Sequence, residues 1–413
     1  MKVLFGFVVA AALSFAGCGS DGCSGNGCAG SGGSSGSGGS AGSGGRGAGG
    51  SPGSAGSPGT GGGGGTITAI ELQVDDYILG LERPWDIGWL PNGTVLVTER
   101  PGNLKVFVDG PDAAPTTIAI PNVRSTGGEG GLLGLSVDPD FSSNGYVYVC
   151  MASDAGSSTD VRVRRLTMSR PSGDSIESSS DIVTGIPHND GARGRHSGCR
   201  MVFGPDGYLW VGTGDAAIGS TPQDDDSLGG KVLRIDRDGN AAPGNPGGRR
   251  WFSKGHRNIQ GMAFRSDGIG MSAEHGPNVD DEVNLLVEGN FGWDPNLPYG
   301  ENVPMTDLTK FPDAVEAAWD TGNPTLALCG ATFIEGRQWG DWDGRLAVAT
   351  LKANHLHVYD VDDDGNITND QIFIENQGRL RAVAQGPDGL VYITTDRRGD
   401  GDRVLRVTPI PAD

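Results

Sequence analysis

The chain has 413 residues, 73 of them glycine, with 31 basic against 51 acidic side chains and a formal charge of −20. An acidic excess without a dominant lysine/arginine cluster excludes a nucleic-acid-binding role and disfavours anionic lipid as a partner, because both need basic patches to displace counterions. No strict three-residue glycine period runs through the chain, which excludes collagen.

Residues 1–17 read as an export signal: Lys2, an apolar stretch from Val3 to Phe15, then Ala16-Gly17 before Cys18. The stretch is too short to span a bilayer as a mature helix. Small residues before a cysteine resemble the lipobox of bacterial lipoproteins. That resemblance implies that Cys18 becomes the first mature residue and carries a lipid anchor at the periplasmic or outer-membrane surface, with plain secretion the alternative. Residues 18–66 form a Gly/Ser-rich tether that cannot bury apolar surface, with a reach of roughly 35–40 Å as a flexible coil.

The body spans residues 67–413. Of the 73 glycines, 26 lie in residues 1–66, and the 47 that remain in 347 residues are still about twice ordinary usage. A turn-rich all-β body follows. It keeps Cys150, Cys199 and Cys329, an odd number that rules out a disulfide scaffold; Cys199 and Cys329, both near predicted channel segments, are a candidate pair.

One hairpin signal recurs six times, a turn followed by an alternating apolar strand: PNGTVLVTE from Pro91, DPDFSSNGYVYVCMA from Asp138, PDGYLWVGTGD from Pro205, SDGIGMSAEHG from Ser266, WDGRLAVATLK from Trp342 and PDGLVYITTD from Pro387. Their starts are 47, 67, 61, 76 and 45 residues apart. Most copies place Asn-Gly or Asp-Gly before the strand, the chemistry of a tight hairpin. Six such units predict a six-bladed β-propeller of four-stranded antiparallel blades, the surplus length lying in loops.

In propellers the loops leaving the inner strands crowd one mouth, so residues that follow the repeat strands are the place to look for chemistry. Asp215 closes VGTGD, Glu274-His275 closes GMSAEH, Lys352 follows VATL, and Asp396 follows YITT. His196 lies just before the third repeat and Arg257-Asn258 just before the fourth. A histidine beside a carboxylate such as Asp215 can act as a general base, because the carboxylate fixes the tautomer and stabilises the imidazolium.

Over residues 78–408 the chain resembles the quinoprotein glucose/sorbosone dehydrogenases, which include aldose sugar dehydrogenases that use pyrroloquinoline quinone (PQQ). The resemblance rests on RPWDIGWLPNG (83–93), GGEGGLLGLSVDPDF (127–141), HSGCRMVFGPDGYLWVGTGD (196–215), GHRNIQGMAFRSDG (255–268), EHGPNVDDEVNLLVEGNFGW (274–293), LKAN (351–354) and GRLRAVAQGPDGLVYITTD (378–396) in this order. It implies a PQQ- and calcium-dependent enzyme that oxidises the C1 hydroxyl of an aldose to a lactone and passes electrons to a separate acceptor. His196 is then the general base, Asp215 its orienting partner, and Arg257 and Asn258 neighbours of the reactive end of the cofactor. Lys352, Arg379 and Arg381 meet the cofactor carboxylates, and Thr325 packs on it. Gly276 and Pro277 hold calcium by their carbonyls with Asp281 in the same turn, while Glu282 and the Phe291 carbonyl hold a second, structural calcium. PQQ is a planar tri-acid, so a lysine and two arginines suit it in so acidic a protein, and oxygen donors suit calcium.

The sequence departs from the family at three places. Glu129 stands where a glutamine is common beside the cofactor, placing a carboxylate near a tri-anion unless it is protonated or paired with an arginine. Arg195 precedes the histidine where an aspartate can stand, and Asn323 lies near the position of an aromatic that covers the quinone. Two other motifs read as structure: DVDDDGN at 360–366, whose twelfth position is Gln371, as a polar hairpin turn, and His355 with His357 as a surface strand. The alternatives to the dehydrogenase are a non-catalytic surface propeller that binds a glycan or protein, and a calcium-dependent propeller lactonase or esterase.

Overall fold

The computed structural model describes residues 70–410 except 126, 157–158 and 398–399. The expected export signal, Cys18 and the expected tether lie outside the described residues.

Six sheets follow one another along the chain. Blade 1 comprises Pro84–Trp89, Val95–Glu99, Asn103–Phe107 and Thr116–Ala119, and blade 2 comprises Leu132–Val137, Tyr146–Ser153, Asp160–Met168 and Ile176–Ile186. Blade 3 contains Gly198–Phe203, Leu209–Thr213, Lys231–Ile235 and Trp251–Lys254, with Gly289–Asn290 added in parallel at its edge. Blade 4 contains Ile259–Phe264, Gly270–Glu274, Glu282–Leu285 and Trp319–Asp320; blade 5 contains Leu328–Ile334, Arg345–Thr350, Leu356–Val361 and Ile367–Phe373. Blade 6 takes Leu380–Gln385, Val391–Thr395 and Asp400–Ile410 from the carboxyl end and Glu71–Glu82 from the amino end. Antiparallel pairing of Glu71–Glu82 with Asp400–Ile410 closes the ring by hydrogen bonds from both ends of the propeller.

Each of the six repeated turns joins the first and second strands of one blade, so the expected six-bladed, four-stranded architecture is what forms. The first strands lie side by side in a closed ring around the axis. Both faces of a blade pack on neighbouring blades, which explains why a strand such as VYVCMAS is buried at every position rather than alternately. Apolar side chains accordingly gather in six clusters, one for each pair of adjacent blades.

Candidate active site

The ring positions the site through one repeated irregularity. In every blade the first strand carries one extra residue near its start relative to the second: Trp85 in blade 1, the Leu133–Gly134 step in blade 2, Cys199 in blade 3, Gln260 in blade 4, the Cys329–Gly330 step in blade 5 and the Arg381–Ala382 step in blade 6. A bulge interrupts the ladder and re-aims the side chain. Trp85, Leu133, Gln260 and Arg381 all line the floor of one axial cavity of about 540 Å³. Two guanidinium groups lie over the Trp85 indole, Arg200 at 4.3 Å and Arg381 at 5.8 Å from its ring centroid.

Charge gives the cavity its character. Arg83, Arg100, Lys352, Arg379 and Arg381 line it together with only two carboxylates, Glu129 and Asp396, a surplus of three positive charges in a chain of −20. The buried Arg381 donates to Asp396 through Nε at 3.0 Å and Nη2 at 2.6 Å. Burial disfavours the Asp396 anion, but Arg381, with Arg100 and Arg379 further off, holds its carboxyl down to about 2. Arg100 is pushed down to about 10 by burial and by Arg381, and stays charged at neutral pH. Lys352 Nζ donates to Thr325 Oγ1 at 3.0 Å, and Arg379 Nη1 to the Leu351 carbonyl at 3.0 Å. His275 also lines the cavity; burial, then Arg257 and Arg381, drive its pKa well down, so it is neutral, and its buried Nε2 has no hydrogen-bond partner.

Next in the chain to the cavity-lining Ser197 stands the predicted dyad. His196 Nδ1 lies 2.7 Å from Oδ1 of the fully buried Asp215. In the neutral imidazole, Nδ1–H donated to the carboxylate leaves Nε2 as the free lone pair, which is the tautomer a base needs. Besides His196, three donors hold Asp215: Ala217 N–H at 2.7 Å, Trp293 Nε1 at 2.8 Å and the Tyr299 hydroxyl at 2.9 Å. His196 itself is 3 % exposed and is not among the cavity-lining residues; Ser197, next in sequence, is. Glu129, the suspect carboxylate, accepts the His196 backbone N–H at 2.8 Å. Glu129 therefore holds the base segment by its backbone, in the field of Arg100, Arg195 and Arg381.

Arg257 donates to the His275 carbonyl at 2.7 Å and through Nε to Glu301 at 3.0 Å, and Arg195 pairs with the same Glu301. Burial works against the Glu301 anion, but Arg257 and Arg195 hold its carboxyl down to about 2. Asn258 Oδ1 accepts from Gly198 N–H at 3.1 Å and from Gln260 Nε2 at 3.2 Å. Asn323 is exposed and lies outside the cavity lining.

Asp281 accepts backbone N–H groups from Gly276 at 2.8 Å and from Leu326 and Ala327 at 2.6 Å each. These bonds tie the tight turn that carries Gly276 and Pro277 to the Thr325 segment. Glu282 is buried opposite Glu274 in the ladder, and burial together with that second carboxylate raises its pKa. Thr306 Oγ1 lies 3.2 Å from Glu282 Oε1 and 3.1 Å from the Phe291 carbonyl oxygen, so these two oxygen donors do converge. Asn284, whose Nδ2 donates to Glu282 at 3.2 Å, leaves a buried Oδ1 without a partner.

Two expectations need correcting. Cys199 pairs with Cys150, not Cys329, which is a buried free thiol. His355 and His357 are buried, not on a surface strand; His357 stacks on Tyr359 at 4.7 Å and meets Asp370 at 2.7 Å. Among the described residues no group of three or more His, Cys, Asp or Glu could hold a metal. The DVDDDGN turn is as expected: Asp362 Oδ1 accepts N–H groups of Asp364 and Asn366 at 3.0 and 2.8 Å. Sequence reading missed Arg83, Arg100, Trp293, Tyr299 and Glu301. Arg100 had a usable signal, since it directly follows its repeat strand just as Asp396 does.

A fold and site of this kind, a six-bladed ring with a cationic axial cavity beside a His–Asp pair, define a class of quinoprotein-like propellers, and the comparisons agree. The family model for glucose/sorbosone dehydrogenase matches residues 81–406. The chain belongs to the glucose/sorbosone dehydrogenase family. It is 30 % identical over 350 residues to the aldose sugar dehydrogenase YliI of Escherichia coli, covering 80 % of this chain and 91 % of that protein. It is 27 % identical to the quinoprotein glucose dehydrogenase B of Acinetobacter calcoaceticus, covering 78 % and 84 % of the two chains. The PQQ-bound aldose sugar dehydrogenase of Streptomyces coelicolor superposes with a TM-score of 0.68 at 29 % identity, over 82 % of this chain and 99 % of that one.

Proposed function

We propose that this protein is a PQQ- and calcium-dependent quinoprotein oxidoreductase that oxidises the C1 hydroxyl of an aldose to a lactone. The observation that carries the reading is the surplus of three positive charges on a cavity lined by Ser197 and Glu129, the chain neighbour and the backbone partner of His196 in the His196–Asp215 pair. A tri-anionic cofactor matches that surplus, and the orphaned Nε2 of the neutral His275 offers a further polar contact. Lys352, Arg379 and Arg381 would hold the carboxylates, with Arg83 and Arg100 completing the ring. Gly276 and Pro277 would supply carbonyl oxygens to calcium from the turn that Asp281 braces.

When bound, the quinone accepts hydride and the calcium acts as a Lewis acid beside it. His196 Nε2 takes the proton of the sugar hydroxyl, and Asp215 stabilises the imidazolium that forms. Tyr299 and Trp293 keep Asp215 oriented. Arg257 and Asn258 shape the reactive corner. Neither a glycan-binding propeller nor a hydrolase needs such a cationic clamp. The export signal and Cys18 support a lipid-tethered enzyme outside the cytoplasm that passes its electrons to a separate acceptor.

Titrating the purified protein with PQQ, with and without calcium, and then measuring dye reduction with a panel of aldoses tests the reading. Calcium-dependent binding and sugar-dependent reduction are the expected results. Absence of binding at micromolar PQQ would overturn it in favour of a glycan-binding or hydrolytic propeller.

Calcium at Glu282 and the Phe291 carbonyl would act on stability. Saturation to about 100 times Kd adds roughly 2.7 kcal/mol, a rise of several degrees in Tm for a domain of this size. Glu282→Gln should abolish the rise in thermal melts with and without chelator. An equal rise in the variant would place the ion elsewhere.

A further inference from the structure

The segment that carries the base is an unusual piece of backbone. His196, Gly198 and Cys199 all have positive φ, at 57°, 60° and 77°. Left-handed conformation is disfavoured for residues with a Cβ and persists only where the surroundings impose it. The ladder breaks here as well, since Gly198 faces Thr213 and Arg200 faces Gly212 with Cys199 left over.

Non-covalent restraints hold the front of the segment: Glu129 on His196 N–H at 2.8 Å, Ser197 Oγ on the Gly194 carbonyl at 2.7 Å and Asn258 on Gly198 N–H at 3.1 Å. At its rear Cys199 is bonded to Cys150, a residue of the second strand of blade 2, and both cysteines are fully buried. The backbone is also wedged. A Cβ at Gly134 would strike the Cys199 carbonyl, and one at Gly214 the His196 carbonyl. The bond therefore anchors the left-handed bulge of blade 3 to a rigid strand of the neighbouring blade, three residues from the base.

We propose that the Cys150–Cys199 disulfide is a positioning device for His196, and that full catalytic competence depends on its oxidation. Its consequence for turnover rests on the dehydrogenase reading; its consequence for His196 does not. Of the cavity lining only Ser197 is in the restrained segment, and none of the clamp residues Lys352, Arg379 and Arg381 is, so cofactor affinity is expected to change little with the bond. A protein of this design gains its full activity only in an oxidising compartment, where disulfides persist.

The test compares full-chain wild type, its phosphine-reduced form and Cys150→Ser/Cys199→Ser. Histidine ¹⁵N NMR reports the His196 tautomer and titration, its signals assigned by their loss in His196→Gln. The oxidised protein should show one tautomer protonated at Nδ1; the variant and the reduced protein should show mixed tautomers and a shifted midpoint. Turnover should fall about 10–100-fold, as small misplacements of a catalytic group do, with PQQ affinity within twofold of wild type. Unchanged His196 signals in the Ser/Ser variant overturn the proposal. So does loss of the circular dichroism spectrum in both the variant and the reduced protein, since the bond would then be a folding requirement. If wild type binds no PQQ, the functional reading fails while the NMR arm still decides the role of the disulfide.

Discussion

His196→Gln is expected to lower kcat by about 10²–10⁴-fold, the range that a positioned general base supplies, and to leave PQQ affinity unchanged. The separation follows from geometry. His196 is not among the residues that line the cationic cavity, so the clamp stays intact when the imidazole is removed. Its partners should rank behind it in order of directness. Asp215→Asn removes the anion that fixes Nδ1–H and stabilises the imidazolium, and loses part of the same factor. Tyr299→Phe removes one of the three donors to Asp215 besides His196, leaving Ala217 N–H and Trp293 Nε1 in place, and should cost about tenfold or less. Stopped-flow measurement of sugar-dependent reduction in PQQ-loaded variants checks the order. A His196→Gln enzyme within threefold of wild type would remove the base from the mechanism.

The parts of this site that sequence reading reaches are those written in short range. Each of the six turns sits before a second strand, and the residues just beyond those strands include Asp215, His275, Lys352 and Asp396. The His–Asp pair is legible because a recognisable segment order surrounds it. The bulges are not. One extra residue per first strand does not disturb an apolar run buried on both faces, so nothing in the pattern announces that Trp85, Gln260 and Arg381 form the floor. Ring closure by Glu71–Glu82 was likewise invisible, because it depends on pairing across the whole length of the body. Tyr299 and Glu301 lie between Asn290 and Trp319, where no strand is formed and periodicity carries no information. The partner of Cys199 needs a distance, and only the structure supplies one: Cα atoms 5.5 Å apart across a blade interface, 49 residues apart in sequence.

Arg381→Ala should damage both stability and cofactor binding, and the two effects can be separated. The guanidinium is buried, spans Asp396 with two hydrogen bonds and approaches Gln260 Oε1 at 3.4 Å and Cys329 Sγ at 3.8 Å. Removing it strands a buried carboxylate, which typically costs about 3–5 kcal/mol; Arg100 and Arg379, both of which help to hold Asp396 ionised, keep the loss toward the lower end. The sign with pH follows from the depressed Asp396 value. The pairing contributes its full stability above the ordinary carboxylate value of 3.8 and loses it as pH falls through about 2. The difference in stability between wild type and Arg381→Ala should therefore be flat from neutral pH to about 5 and narrow below 4. Arg381→Met/Asp396→Leu replaces the pair by apolar groups and should recover most of the stability, because a buried pair is often no better than its hydrophobic substitutes. PQQ affinity should not recover: the double variant keeps the surplus of three positive charges, since a cation and a carboxylate leave together, but the guanidinium donor to the cofactor carboxylate is gone, and a loss of about 10²-fold or more is expected in both variants. Chemical denaturation and PQQ titration of the two variants side by side give the answer. Full PQQ affinity in a stably folded double variant would move the carboxylate clamp away from Arg381, onto Lys352, Arg379 and Arg100.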